Sequence, residues 1–347
     1  MNILLDDLPL NNSLYPFAAV RPMAYIRTGI LTIFEKWQSA SAKVSLSSER
    51  VAADIDSFKK IPANILPSAN FLKQLIREPG AFPSTGDCKI LEYPWQIFSY
   101  NDWAIRQDFE MITAGRVSAE ISSTNKIICP ENIFAEEGAI INYSILNAAD
   151  GPIYIGKNAE IQEGSLIRGP FALCEGSRVK MGTKIYGATT IGPYCLAGGE
   201  IKNSILMGYS NKGHDGYLGD SVIGLWCNLG AGTSNSNLKN TAGIVKVWSK
   251  EKNAFISAGN KCGLLMGDYS RSAINTSFNT GTVTGISCNI FGNIFPAKVI
   301  EDFTWGNEKY IFEKAISDIN NWKKLKGLEI TEQEIASLKN IYELKQK

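Results

Sequence analysis

From Ile155 to Ala197 an aliphatic side chain falls at every sixth position: Ile155, Ile161, Ile167, Leu173, Val179, Ile185, Ile191 and Ala197. An α-helix repeats every 3.6 residues and a half-buried strand every 2, so neither demands six. With 44% of the chain hydrophobic, such a run arises by chance about once in 700 in a given frame, and about once in a hundred over six frames. Gly, Pro and Asn fall between the hits, where turn-formers belong. A strict hexad suits a parallel β-helix, in which six residues make one side of a coil and successive coils stack. Ile155, Leu173 and Ile191 are eighteen residues apart, or three sides, and are therefore expected to stack on one inner face.

The 347 residues are enough for two domains, each with its own core. Lys plus Arg number 35 against 34 Asp plus Glu, a net charge of +1, which argues against a nucleic-acid or polyanion partner. Seven cysteines (88, 129, 174, 195, 227, 262 and 288) show no CxxC and no Cys/His spacing. Small buried thiols in a reducing cytosol explain them better than disulfides or zinc. The opening MNILLDDLPL carries two acids within a short apolar run, unlike a signal peptide. No stretch reaches the ~18 apolar residues of a membrane span, so a soluble, cytoplasmic protein is expected.

Residues 1–92 have an α/β pattern: a strand at Asn2–Leu5, an apolar run Met23–Trp37 able to hold a helix, and a helix Asn70–Glu78 stopped by Pro79-Gly80. Residues 93–126 form a linker. Within it, Ile97, Tyr100, Ala104, Ile105, Phe109 and Ile112 lie at helical spacing, an amphipathic helix over Tyr93–Arg116 joining two domains. The hexad region occupies 127–300; it weakens after Ala197 and resumes with Leu218-Gly, Ile223-Gly and Leu229-Gly. Asn, Ser, Thr and Gly dominate 228–240 and 275–293, a composition suited to coil corners and inward polar ladders. Residues 301–347 form a helical tail. In it Thr331-Glu-Gln-Glu334 is a capping box opening a helix to about Leu344. The stripe Ile335, Leu338, Ile341 and Tyr342 must pack on the β-helix or on a neighbouring subunit.

One histidine exists in the chain, His214, in the segment GYSNKGHDGYLGD. A lone histidine is more often structural than catalytic. Here it interrupts the hexad, so the backbone is expected to bulge from the coil, and its neighbours are Asn211, Lys212, Gly213 and Gly216 rather than an apolar face. Histidine is the side chain whose ordinary titration range lies nearest neutrality, as a general base requires.

The motif HDGYLGD, followed by NLGAGT from Asn228, resembles H-x-x-[YF]-[LI]-G-[DN] and N-[LI]-G-A-G-T of the bifunctional GlmU-type enzymes. These acetylate glucosamine 1-phosphate and join the product to UTP. The chain is most similar to the shorter GlmU-like sugar nucleotidyltransferases of bacteria, over most of its length. The resemblance implies a left-handed parallel β-helix behind a small, truncated α/β N-terminal domain, with C-terminal helices. It also implies acetyl-CoA as co-substrate and a homotrimer with sites between chains, about 114 kDa from three 38.0 kDa subunits. By the same resemblance His214 is the general base, Tyr217 and Asn228 contact substrate, and Lys184 (where the family has arginine) and Lys202 bind the sugar phosphate. Ala231 meets acetyl-CoA through its backbone, and Asn237 lies near the same cofactor. The sequence departs from the family at Leu238, Gly243 and Ile274, where tyrosine, lysine and serine are usual.

The chemistry fits these residue types. An amine attacking a thioester must lose a proton to a nearby base, and the oxyanion needs N–H donors such as the Gly230–Gly232 backbone could present. Two lysines neutralise a phosphate as point charges, although either lysine alone is better explained as a solvated surface residue. The N-terminal stretch Arg21-Pro-Met-Ala-Tyr-Ile-Arg27, followed by Glu35-Lys-Trp37, is similar to the family's nucleotidyltransferase portion, but the L-x-x-G-x-G-T-R phosphate loop is missing. Arg21, Arg27 and Lys36 are candidates either for a phosphate or for interdomain ion pairs. The expectation is an acetyltransferase acting on an amino-sugar phosphate. A sugar-1-phosphate nucleotidyltransferase and a non-catalytic, nucleotide-sugar-binding trimeric scaffold are the alternatives.

Overall fold

The computed structural model describes every residue except 1, 8–11, 42, 50–57, 79–80, 82–83, 85, 293–294 and 345–347, so the Pro79-Gly80 stop lies outside the described residues. Behind a small α/β region stands a left-handed parallel β-helix of about ten turns, followed by C-terminal helices. Its strands are two to four residues long and stack into three walls.

The first wall has nine strands, from Ile133–Ala135 to Val299–Ile300. The second has ten, from Ile140–Ile141 to the terminal hairpin of Thr304–Trp305 and Glu308–Lys309. The third runs in six strands from Lys126–Ile128 to Tyr217–Gly219. Beyond Gly219 side chains take over the ladder: Tyr217 N donates to Ser234 Oγ at 3.1 Å and Gly219 N to Asn235 Oδ1 at 2.9 Å. Register places Ile155, Leu173 and Ile191 side by side on the first wall, as the hexad requires. All three are fully buried in a lumen shared with Ile161, Val179, Ile167 and Ile185.

Each coil turns its corner between the first and second walls through a residue with positive φ: Gly138, Asn158, Gly176, Tyr194, Tyr209, Trp226, Tyr269, Ser287 and Phe303. Left-handed backbone at bulky residues is costly unless packing holds it. Here Tyr194, Tyr209 and Trp226 stack with centroids 5.1 and 4.4 Å apart.

The N-terminal region is a three-stranded parallel sheet, in the order Lys43–Leu46, Asn2–Asp6, Lys59–Pro62, with helices α1 (Ile33–Gln38) and α2 (Ala69–Arg77). The Met23–Trp37 run is not one helix. It breaks at Gly29, whose φ of +85° and whose place against Asp108 and Ala104 leave no room for a side chain. The linker likewise divides at Tyr100 into α3 (Gln96–Ser99) and α4 (Asn101–Thr113). This region covers the outer face of the first wall: Ile3, Phe17, Trp37 and Leu75 share one core with Ile205, Val222, Leu265 and Val283. That is why strands of this wall are buried on both faces. Between Asn235 and Cys262 the chain leaves the coil as a loop with a hairpin, Lys246–Ser249 against Ala254–Ser257, and Val245 and Val247 join the same core.

The tail forms α5 (Phe312–Lys324) and α6 (Glu332–Leu344). The capping box is present, with Glu334 N donating to Thr331 Oγ1 at 3.2 Å and Thr331 N to Glu334 Oε2 at 2.8 Å. The expected stripe packs on its own β-helix: Leu338 is buried with Tyr269 and Phe303, and Tyr269 Oη donates to Glu334 at 3.0 Å. All seven cysteines are free, five of them buried. No helix among the described residues is long and apolar enough to cross a membrane.

Candidate functional site

The third wall presents its outer face in two rows. One carries Ile145, Leu166, Lys184, Glu200 and Tyr217, and the other Asn147, Arg168, Tyr186 and Lys202. At about 4.8 Å per strand, Lys184 and Tyr217 stand roughly 10 Å apart, with Glu200 between them. Lys202 Nζ lies 5.9 Å from the centre of the Tyr186 ring, and Tyr186 Oη donates to Glu200 at 2.6 Å. That hydrogen bond, with burial and the Glu200 charge, pushes the Tyr186 phenol up to about 12. A shallow depression of about 420 Å³ lies lower on this wall, with Leu166, Arg168, Lys184 and Tyr186 in its lining. His214 does not line it.

Tyr217 and Asn237 are brought into contact. Asn237 Nδ2 donates to Tyr217 Oη at 3.2 Å and also to Asp220, while Asn203 Nδ2 donates to the other oxygen of Asp220 at 2.7 Å. Asp220 is 4% exposed. Burial, then the Asp220 charge, holds the Tyr217 phenol well above its ordinary range, so Tyr217 is a hydrogen-bonding neutral phenol here. Asp220 is the last residue of HDGYLGD, and reading that motif for its histidine alone misses it.

His214 does not bulge from the coil. The inward positions Lys212 and Leu218 flank its corner and are six residues apart, an ordinary step, in register with Ala197 and Ile201 of the coil before. The irregular corner is that earlier one, which takes four residues from Ala197 to Ile201. His214 and Asp215 are exposed on the edge between the second and third walls. The edge is held tightly: Gly232 N donates to the Asp215 carbonyl at 3.0 Å, and a Cβ on Gly216 (φ +120°) would sit 2.1 Å from the Thr233 carbonyl oxygen. These contacts stack the His214 corner directly against Gly230-Ala231-Gly232 of the next coil.

The two glycine N–H groups of that stretch are occupied. Gly230 N donates to Ser272 O at 3.1 Å and Gly232 N to Asp215 O. Both are therefore spent on holding coils together, and of the three expected donors Ala231 is the one left for an oxyanion. Asn228 stands apart from the third-wall rows. It faces out from the second wall, accepting from Asn211 Nδ2 at 3.4 Å beside Arg271. Leu238 bridges Lys261, and Ile274 lies exposed on the edge next to Asn275, whose N–H donates to the Ala231 carbonyl at 2.6 Å.

Lys212 is a residue the sequence reading passed over. It takes the inward slot between Ala197 and Leu229 and is 1% exposed. Its ammonium donates to the Gly198 carbonyl at 3.2 Å and to the His214 carbonyl. Burial brings it down to about 8, and the Asp215 charge only partly opposes this. The hexad from Ile155 to Ala197 projects its next inward slots to positions 203, 209 and 215, so Lys212 comes inward only through the fifteen-residue step that follows Ala197.

In the N-terminal region, the three basic candidates make internal contacts. Arg21 pairs with buried Asp268 at 2.5 and 3.1 Å. Arg27 donates to the Ile30 carbonyl and lies 3.4 Å from Glu35. Lys36 is fully buried against Asp108, which also accepts from the Ile30 and Leu31 N–H groups at 2.7 and 3.0 Å. Burial drives Lys36 down and Asp108 up, and their mutual contact opposes both shifts. Among the described residues no group of three or more His, Cys, Asp or Glu is placed to hold a metal.

A family profile described as sugar nucleotidyl transferase matches residues 2–52 and 50–117, and so runs through α4. A bifunctional sugar-1-phosphate nucleotidylyltransferase/acetyltransferase of Sulfurisphaera tokodaii is 30% identical over 263 residues, covering 68% of this chain and 64% of that protein. The bifunctional protein GlmU of Methanococcus vannielii is 25% identical over 300 residues, 82% of this chain and 66% of the relative. The bifunctional protein GlmU of Methanocaldococcus jannaschii is 35% identical over 117 residues, 33% of this chain and 28% of the relative. The matches thus span between about a quarter and two-thirds of these relatives' length. By sequence and by fold, this chain is a homologue of the bifunctional GlmU proteins, the sugar-1-phosphate nucleotidylyltransferase/acetyltransferases.

Proposed function

We propose that the protein is an acetyl-CoA-dependent N-acetyltransferase acting on an amino-sugar phosphate, with His214 as general base. The observation that carries this reading is the stacking of the His214-Asp215-Gly216 corner on the glycine-rich stretch Gly230–Thr233, through the Gly232 N–H to Asp215 carbonyl bond, beside the wall that bears Lys184, Lys202 and Tyr217. In this reading the amine nitrogen attacks the thioester carbonyl carbon. The N–C bond forms, His214 takes the amine proton, the C–S bond breaks, and the proton passes to the departing thiolate. The Ala231 N–H faces the developing oxyanion. Lys184 and Lys202 hold the phosphate, and the Asp220 network sets the positions of Tyr217 and Asn237, the latter beside the cofactor. Asn228, on the second wall, reaches substrate only across an edge or from another subunit. A homotrimer meets that need. Exposed Ile128, Ile145 and Leu166 on the third wall give other copies an apolar surface to cover.

The test is thiol release from acetyl-CoA with a panel of amino-sugar 1-phosphates, and in parallel pyrophosphate release from nucleoside triphosphates with sugar 1-phosphates. His214→Ala is expected to keep the fold and the trimer and to slow acetyl transfer by roughly 10²–10⁴-fold. Lys202→Ala is expected to raise KM for the sugar phosphate alone. Full activity in His214→Ala would make the histidine structural. A monomer in light scattering would count against a site between chains.

Nucleotidyl transfer is the second reading, favoured by the profile match over residues 2–117. Against it, Arg21, Arg27 and Lys36 are engaged within the chain. A non-catalytic, nucleotide-sugar-binding trimeric scaffold would fit the departures at Leu238, Gly243 and Ile274, and would bind ligand without turnover.

A further inference from the structure

Lys212 is an ammonium in a hydrocarbon lumen. Its neighbours along the stack, Ala197 and Leu229, are apolar, and its own side chain is 1% exposed. Among the described residues it makes no ion pair within salt-bridge distance, and its two acceptors are backbone carbonyls, those of Gly198 and His214. Burying a charge without a carboxylate partner works against folding, so the position departs from what a coil interior favours. Departures of this kind gather at functional sites.

The geometry shows what the lysine does. The corner beneath it, Gly198-Gly199, is two residues shorter than the one that carries His214, so the upper corner lacks the usual full-length partner below. A Cβ on Gly198 would lie 2.7 Å from the Gly213 carbonyl, so the two corners are in backbone contact. The ammonium sits inside this step and ties the carbonyl of the lower corner to the carbonyl of His214 itself.

We propose that Lys212 is the positioning residue for His214, fastening the His214 backbone from inside the β-helix so that the exposed imidazole projects from a fixed corner. The catalytic part of this inference rests on the reading of His214 as base, but the clamp does not. The charged groups packed around the corner are Asp215 on the corner itself and Lys180 from an earlier coil, whose Cδ would lie 3.8 Å from a Cβ on Gly213. Neither supplies the bond that Lys212 makes to the His214 carbonyl.

The test uses the full-length protein and the fact that His214 is its only histidine, so the imidazole Cε1–H gives a single resonance in a ¹H–¹³C spectrum. In Lys212→Met, near in volume but without donors, that resonance is expected to move and broaden while thermal stability does not fall. The kcat for acetyl transfer is expected to fall by about 10²-fold, the effect of a small misplacement of a reacting group. KM for acetyl-CoA and for the sugar phosphate should stay within about twofold. An unmoved resonance overturns the clamp, and so does a loss of turnover matched by unfolding. A moved resonance with full turnover refutes the catalytic role. Should wild-type protein transfer no acetyl group, the reading of His214 as base fails, and the resonance still decides the clamp. If Lys212→Met does not fold, Lys212→Gln, uncharged but still a donor, is expected to give intermediate values. In that case Lys212→Leu, which has no donor, decides the clamp, and wild-type resonance and kcat for it would overturn the proposal.

Discussion

The coils before Ala197 and those that follow it as far as Asn235 are built to different rules, and the eighteen-residue register returns only at Leu264. From Ile153 to Leu196 each strand of the first two walls pairs with one eighteen residues on, and the lumen is filled by Ile155, Leu173, Ile191 and Val179. Beyond that point the register advances by fifteen, then seventeen. A lysine enters the lumen, Ser234 and Asn235 side chains replace backbone ladder partners, and the loop from 236 to 261 leaves the coil. Lys202, His214, Tyr217, Asn228, Ala231 and Asn237 all belong to the irregular part, and only Lys184 stands in the regular one. Uniform coils supply rigid stacking. The irregular ones sacrifice packing to turn polar groups outward at one edge.

Truncating the regular lumen tests this contrast most severely. Leu173→Ala is expected to cost about 2–5 kcal/mol, the transfer loss plus a cavity that stacked coils cannot collapse. Urea unfolding would measure it, and a cost below about 1 kcal/mol would mean that the lumen tolerates voids and the contrast is false.

Lys212→Met in the irregular lumen should act in the opposite direction. The native lysine titrates near 8, against about 10.4 for an unfolded lysine. Below pH 8 both states carry the proton and the native state bears the full cost of the buried charge. Between pH 8 and about 10.4 the unfolded chain holds more protons, so the lysine's penalty fades as pH rises. The variant's advantage over wild type is therefore expected to be largest at neutral pH, on the order of 3 kcal/mol before the lost hydrogen bonds are counted, and to shrink towards pH 10. Taking the difference between variant and wild type removes the raised cysteines and tyrosines that titrate in the same range. A variant that is less stable at pH 7, by an amount independent of pH, would show that the lysine packs as an ordinary lumen residue.

The smallest effect belongs to the outer surface of the regular coils. Arg178 and Glu160 pair across neighbouring strands with side chains 55% and 28% exposed, so Arg178→Ala should change stability by no more than about 1 kcal/mol, and less in high salt. A larger loss in thermal unfolding would mean that this face is covered, as by another subunit.

Sequence alone determined the β-helix, its regular lumen and the capping box at Thr331, because each is written in local order: a period of six, or an oxygen three residues before a carboxylate. The HDGYLGD and NLGAGT motifs were equally legible as a pair, and the structure stacks their His214 and Ala231 corners. Other features were settled only by tertiary contacts. Met23–Trp37 is apolar enough for a helix, yet Gly29 breaks it to let Asp108 reach two backbone N–H groups from 77 and 78 residues away. Arg21 and Lys36 look like phosphate ligands until Asp268 and Asp108 arrive beside them. Asp220 gains its role from Asn203 and Asn237, which lie seventeen residues to either side of it. Lys212 looks like a solvated charge next to a histidine until a fifteen-residue step turns it inward. The physical reason is common to all four: a period is a property of the chain, whereas the cost of a buried charge depends on which atoms the stacked coils bring within hydrogen-bond reach.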